Sequence, residues 1–294
     1  ELKNRRGSVV AVDISDGAIV TYLSSPSFSV NKIANGLSQN DFNELIEDKN
    51  KPFFDRAAQG RYSPASTIKP AIGLFGLENN IIDWDFTIDD PGYFELPEDG
   101  RIYRGWKKGG HGKINLQDAI IESSNTFFFS LAYKSEIEEL IKHLSYFGFG
   151  RNVCLDCFLP DNGLLPNPAW KMNTLNFGWF KGDTVNLGVG QGYMSATPLQ
   201  LAYYSAFIAN KGALNKFSFV QDDKTLPKEV FYSGNIDDKD WEKIHKSMIG
   251  VIEEPKGTAG RLRELKDYII AAKSGTVELV STDTKEDYKI IREE

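Results

Sequence analysis

The sequence predicts an α+β fold in which segments from the two ends of the chain build an antiparallel sheet flanked by helices, and the middle is mostly helical. Two observations carry that reading. Short β-branched runs sit near the N-terminus and again near the C-terminus, while the residues between them show apolar spacing of helical period and no internal repeat. A chain of 294 residues is long enough to bury a large core. It reads as one domain over 1–294, with a sheet part at about 1–60 and 212–294 and a helical part at about 61–211.

The elements follow in order. Gly7 to Ile14 and Ala18 to Ser24 flank Ser15-Asp16-Gly17, a turn signal, and predict a β-hairpin. The next forty or so residues are polar loop with a short helix near Asp41 to Glu47. At Tyr62-Ser63-Pro64-Ala65-Ser66-Thr67-Ile68-Lys69-Pro70 a helix should begin within a residue or two of Ser66, because Pro70 belongs in a first turn. Its apolar face is Ile68, Ala71, Ile72 and Phe75. Asp89 to Gly112 is rich in Gly, Pro and aromatics and reads as irregular structure. Ser135 with Glu138 makes a capping box ahead of Ile137, Leu140, Ile141 and Leu144, and Gly148 stops that helix. Thr197-Pro198 caps a helix apolar on all faces, hence buried. Trp241, Ile244, Met248, Ile249 and Ile252 mark another. Tyr268 to Ala272 and Val277 to Val280 return to strand character around Lys273-Ser274-Gly275.

Composition removes several functions. Hydrophobic residues are 41% and charged residues 26%, ordinary globular values, and the net charge of −7 with no basic stripe argues against nucleic acid. No run approaches the length of a membrane-spanning helix, and Glu1 to Arg6 is not a signal peptide. Cys154 and Cys157 form a lone C-x-x-C with no second pair to complete a zinc site, and read as small core residues or a local disulfide. Gly188 to Gly192 lacks the lysine and the strand-loop-helix setting of a phosphate cradle, and reads as a tight buried turn.

Ser66 and Lys69, three apart at a helix start, share one face, with the hydroxyl at the positive end of the helix dipole. A serine becomes a nucleophile when a neighbour takes its proton, and a lysine can do so only if burial keeps it neutral. The pattern is cheap: Ser29-Val30-Asn31-Lys32 also matches, and a capping serine beside a solvated lysine is the bland alternative. Two further motifs follow in order, Ser123-Ser124-Asn125 and Lys273-Ser274-Gly275. S-x-N recurs at Ser29, Ser38 and Ser233, whereas K-[S/T]-G occurs once, on a predicted strand. S-x-x-K, S-D-N and K-T-G are the signature of penicillin-binding proteins and class A β-lactamases, and here they stand in that order as S-x-x-K, S-S-N and K-S-G.

On these motifs, with Trp106-Lys107-Lys108-Gly109-Gly110-His111-Gly112 and Lys181-Gly182-Asp183-Thr184 through Gly190-Gln191-Gly192-Tyr193 to Ala196-Thr197-Pro198, the chain resembles the transpeptidase domain of class B penicillin-binding proteins of the rod-elongation type. The resemblance implies a penicillin-binding, serine β-lactamase-like fold and a peptidoglycan D,D-transpeptidase acylated by β-lactam antibiotics. It implies Ser66 as nucleophile, Lys69 as its base, Ser123 as proton relay, and Asn125 orienting Lys69 and the substrate amide. Lys273, Ser274, Gly275 and Thr276 would hold the terminal carboxylate, with the N–H groups of Ser66 and Thr276 as oxyanion hole. The structural alternatives stay open: Ser124 as a structural residue, Asn125 as a turn residue, and Trp106 to His111 as groove lining or exposed loop.

The resemblance also implies peptidoglycan stem peptides as substrate, a membrane glycosyltransferase and elongation-complex proteins as partners, and the periplasmic face of the bacterial inner membrane as location. No cofactor is implied. Some proteins of this kind carry a zinc ion on two aspartates, a histidine and a cysteine, and here the matching positions are Asp90, Gly105, His111 and Ser124, so no zinc is expected. A serine β-lactamase would need a deacylating base, and no glutamate occurs between Glu139 and Glu229. A penicillin-binding sensor or scaffold is the other alternative. Finally, the family's K-[S/T]-G strand is followed by two further strands and a helix. The chain therefore reads as incomplete at its C-terminus and impaired in activity, with the apolar faces of Val9, Val10, Val12 and Ile269 exposed.

Overall fold

The N-terminal β-branched runs pair with each other. In the computed structural model, which describes residues 2, 5–220, 234–265 and 267–277, β1 (Gly7–Val12) and β2 (Ile19–Ser25) form an antiparallel ladder with a register shift between Ala11 and Val12. Side chains alternate across a strand, so Val10 and Val12 pack against the core while Val9 and Val20 face outward. The expectation that all of Val9, Val10, Val12 and Ile269 lie open therefore holds for Val9 and Ile269 alone.

Two short helices follow, α1 (Val30–Ala34) and α2 (Gln39–Glu47). The Lys32 N–H donates to Ser29 Oγ at 3.4 Å, so this second S-x-x-K is a helix cap. A 3₁₀ turn at Ala65–Ile68 then leads into α3 (Lys69–Glu78), with Pro70 in its first turn. Irregular structure was expected next, but 87–115 folds into two small antiparallel ladders. β3 (Thr87–Asp90) pairs with β6 (Gly112–Asn115), and β4 (Tyr93–Glu95) pairs with β5 (Ile102–Arg104). Strands of three or four residues are too short to show alternation in sequence.

Helices α4 (Leu116–Ile121), α5 (Asn125–Tyr133) and α6 (Ile137–Tyr146) come next. The capping box on α6 is not formed. Ser135 Oγ donates back to the Leu131 carbonyl at 2.9 Å and closes α5, while Glu136 takes the N-cap position without a side-chain bond. After α7 (Pro168–Leu175) and α8 (Lys181–Leu187), α9 (Pro198–Ala209) starts on a true capping box of Thr197 and Gln200. α10 (Asp238–Glu253) is the longest described helix.

Near the C-terminus the expected strand at Tyr268 to Ala272 is absent: the segment is non-regular, and the Ala272 N–H donates to the Met248 carbonyl of α10 at 3.0 Å. Strand preference expresses itself only beside a pairing strand, and among the described residues none lies next to it. Of the expected strand at Val277 to Val280, residues 278–280 lie outside the described residues. No helix among the described residues is long and apolar enough to cross a membrane.

The core is one cluster to which α3, α5, α9 and α10 each contribute. Ile72 and Phe75, Phe127 and Phe128, Tyr203 and Phe207, and Trp241 and Ile244 are all buried within it. Phe147 sits at its centre, with ring contacts to Phe207 at 4.7 Å and Trp241 at 6.4 Å. Cys154 and Cys157 are joined as a disulfide. Among the described residues they and Asp156 form the one cluster with metal-ligand spacing, and its two sulfurs are spent on each other.

Candidate active site

The first wall of the site is the turn carrying Ser66, and three contacts fix it from outside. The Ala65 N–H and the Ser63 hydroxyl both donate to the Gly190 carbonyl, at 2.9 and 2.6 Å, and the Tyr204 hydroxyl donates to the Thr67 carbonyl at 2.8 Å. Ala65 is buried with φ at +47°, a left-handed conformation that an L-residue adopts only when its surroundings enforce it. Gly190 is part of that enforcement, since a Cβ there would lie 2.3 Å from the Ala65 carbonyl oxygen. The turn expected to be buried over Gly188 to Gly192 is buried at Gly188 to Gly190 and exposed at Gly192, and its buried part presses on the residue before Ser66.

Lys69, at the start of α3, is fully buried. Its Nζ donates to the Ser123 carbonyl at 2.8 Å and to Asn125 Oδ1 at 2.7 Å, lies 3.3 Å from Ser123 Oγ, and stands over the Phe128 ring. Burial first, and then the neighbouring Lys273 charge, hold its pKa well below the ordinary lysine range, while Asp90 works in the opposite direction. A neutral amine has two N–H donors and one lone pair. Two short bonds to fixed acceptors use both donors and leave the lone pair free to accept a proton.

Ser123 links the second wall to the third. It is buried with φ at +58°, and its Oγ accepts from Lys273 Nζ at 2.8 Å. Burial pushes Lys273 down to about 7, so its charge is adjustable near neutral pH. Ser124 N-caps α5 through the Phe127 N–H, and Asn125 is the first residue of that helix. Gly275 lies against the Ser66 turn: a Cβ on it would meet Thr67 Cγ2 at 2.8 Å and the Pro64 carbonyl oxygen at 3.2 Å. Only glycine lets the K-S-G segment approach this closely. Thr276, next along, is exposed.

The arrangement joins a serine turn, a buried lysine of lowered pKa, a serine bridging two lysines and a cationic segment packed on the serine turn. The profile of the family described as penicillin binding protein transpeptidase domain matches residues 7–291. The chain belongs to this family. It is 40% identical over 288 residues to the Acinetobacter baumannii protein named peptidoglycan D,D-transpeptidase MrdA, an alignment covering 96% of this chain and 42% of that protein. A crystal structure of Pseudomonas aeruginosa PBP2 in complex with WCK 5153 matches with TM-score 0.89 at 35% identity, over 95% of this chain and 64% of the other. A complex between PBP2 and MreC from Helicobacter pylori matches with TM-score 0.86 at 31% identity, over 95% of this chain and 52% of the other. The chain therefore has the penicillin-binding transpeptidase fold, and it spans less than half the length of the curated relative.

Some transpeptidase domains of this kind hold zinc, and the residues here do not fit it. Asp90 Oδ2 and His111 Nδ1 lie 2.6 Å apart, bonded to each other; Ser124 Oγ donates to the same carboxylate oxygen at 2.7 Å; Gly105 offers no side chain. One carboxylate and one imidazole are half of a closed four-ligand site. The family motifs also left two contacts unread. Trp106 Nε1 donates to the Glu122 and Ser123 carbonyls, each at 3.2 Å, and Thr258 Oγ1 pairs with Ser274 Oγ at 2.8 Å. The reading of Trp106 to His111 as groove lining or exposed loop did not reach the first, and nothing in the sequence signalled the second.

Proposed function

We propose that this chain is a peptidoglycan D,D-transpeptidase domain that crosslinks stem peptides through an acyl-enzyme on Ser66, is acylated by β-lactams at the same residue, and serves cell-wall elongation and cell-shape maintenance. The observation that carries the reading is Lys69: a buried amine with both donors engaged and its pKa lowered, placed one turn after a half-buried serine. Ser66 Oγ attacks the carbonyl carbon of the terminal D-Ala-D-Ala bond and its proton passes to Lys69. The tetrahedral centre collapses, the C–N bond breaks, and the leaving amine takes a proton relayed by Ser123. An amine from a second stem peptide then attacks the ester, its proton passes into the same relay, and Ser66 leaves reprotonated. Lys273, Ser274 and Thr276 receive the substrate carboxylate, and the Ser66 and Thr276 N–H groups stabilise the oxyanion.

The absence of glutamate between Glu139 and Glu229 supports an acyl-enzyme that persists with β-lactams, as opposed to one that a lactamase would hydrolyse. The resemblance to rod-elongation penicillin-binding proteins carries the reading of an anchored periplasmic location and a membrane glycosyltransferase partner for the whole protein, and the Helicobacter pylori complex of PBP2 with MreC supports an elongation partner of that kind. Intact-mass measurement after incubation with a penicillin tests the reading. The expected result is one adduct per chain on the peptide containing Ser66, none in Ser66→Ala, and acylation slowed by several orders of magnitude in Lys69→Ala. An adduct that persists in Ser66→Ala would overturn it.

A further inference from the structure

Resting on that reading, we propose that His111, through Asp90 and Trp106, is a positioning residue for Ser123, and that hydrogen bonds do this work in this chain without a metal ion. Four stretches of chain meet here: the end of β3, the β5–β6 loop, and both sides of the α4–α5 turn. Asp90, Ser124 and the His111 ring are almost wholly buried. Asp90 Oδ2 accepts from Ser124 Oγ at 2.7 Å and from His111 Nδ1 at 2.6 Å, and Asp90 Oδ1 accepts from the Gly92 N–H at 2.7 Å. The Ser124 hydroxyl has one proton, and donating it to Asp90 fixes the oxygen that caps α5 through the Phe127 N–H. His111 therefore decides how Asp90 is oriented, and Asp90 decides how the residue after Ser123 is held.

A second route runs through the ring face. The Trp106 indole meets the His111 ring edge-on at 5.7 Å between centroids, and its Nε1 donates to the carbonyl of Ser123, the same oxygen that accepts from Lys69 Nζ. The first route ends on Ser124 and the second on Ser123 itself, whose left-handed conformation would relax if released. Because His111 Nδ1 faces a carboxylate, it carries the proton, and Nε2 is left buried with no hydrogen-bond partner, 3.9 Å from Glu122 Oε2. Both lone pairs of the shared Asp90 oxygen are taken by protein donors, and Ser124 and Gly105 add no carboxylate, imidazole or thiolate to complete a four-ligand set.

The test compares wild type, His111→Ala and His111→Asn, the last keeping an N–H donor near the Nδ1 position. Stopped-flow acylation separates initial binding of a penicillin from the limiting acylation rate. The expected result is a limiting rate reduced ~10-fold or more in His111→Ala with binding little changed, and recovered in large part by His111→Asn, because small displacements of reacting groups act on the chemical step. Hydrogen exchange over 122–128 reads the same clamp without chemistry, and faster exchange is expected in His111→Ala alone. Unchanged acylation in His111→Ala, when wild type forms its adduct, overturns the positioning role and leaves the transpeptidase reading intact. Should wild type form no adduct, that reading fails, and the exchange data still decide whether His111 holds the turn. Elemental analysis finding one zinc per chain, or acylation abolished by a chelator, overturns the metal-free clamp.

Discussion

Lys69 and Lys273 converge on one hydroxyl, that of Ser123, and their different surroundings give them different uses. Lys69 is enclosed and must be neutral to act as a base, so acylation should rise with pH on an acid limb set by its lowered pKa. In the proposed function Lys273 must be charged to hold a carboxylate. Its pKa is depressed to about 7, so the charge is present below that pH and lost as pH rises through it. The second-order acylation rate for carboxylate-bearing penicillins should therefore fall on the alkaline side with a midpoint near 7, each limb belonging to the coupled pair of lysines. Lys273→Arg keeps its charge throughout this range and should flatten the alkaline limb, at some loss of absolute rate because the guanidinium is larger. A pH–rate series on both proteins checks this; an identical alkaline fall in Lys273→Arg would assign that limb to another group.

At the level of elements, the Ser66 turn shows how a strained segment is held by a neighbour of minimal size. Gly190 has φ at +68° and its missing Cβ makes room for the Ala65 backbone. Gly190→Ala should cost ~1–2 kcal/mol for the left-handed conformation alone, and the clash with Ala65 adds ~1–3 kcal/mol. Urea denaturation measures the sum, and the acylation rate should fall with it because the displaced residue adjoins Ser66. A loss under ~0.5 kcal/mol would mean that the Gly190 turn yields easily and does not enforce the Ala65 geometry.

The long helices and the glycine stop at Gly148 were legible because periodicity and caps are local signals, as is the start at Thr197-Pro198. Ser135 misled because the same hydroxyl can close the preceding helix as readily as open the next. The strands between Thr87 and Asn115 went unread because short ladders are specified by their partners, which sequence does not reveal.

On the scale of the whole molecule, the candidate site is assembled from segments around Ser66, Ser123 and Lys273, and the order of the motifs made that much legible in the sequence. What holds the third segment in place was not legible, because it depends on α10 and on no strand among the described residues. The C-terminal end of α10 receives the Ala259 N–H at the Val251 carbonyl, the Ala272 N–H at the Met248 carbonyl and the Arg263 guanidinium at the Ile252 carbonyl. The same helix buries Trp241 against Phe147 and Phe207 in the common core. Core and site are thereby mechanically continuous, and the chain should unfold as one unit. Trp241→Ala should lower stability by ~3–5 kcal/mol through the cavity it leaves. Loss of helical circular dichroism and loss of penicillin acylation should then occur at one shifted urea midpoint. If acylation disappears well before the helical signal, the Lys273 segment and α10 form a separately unfolding unit, and the single-domain reading gives way to two.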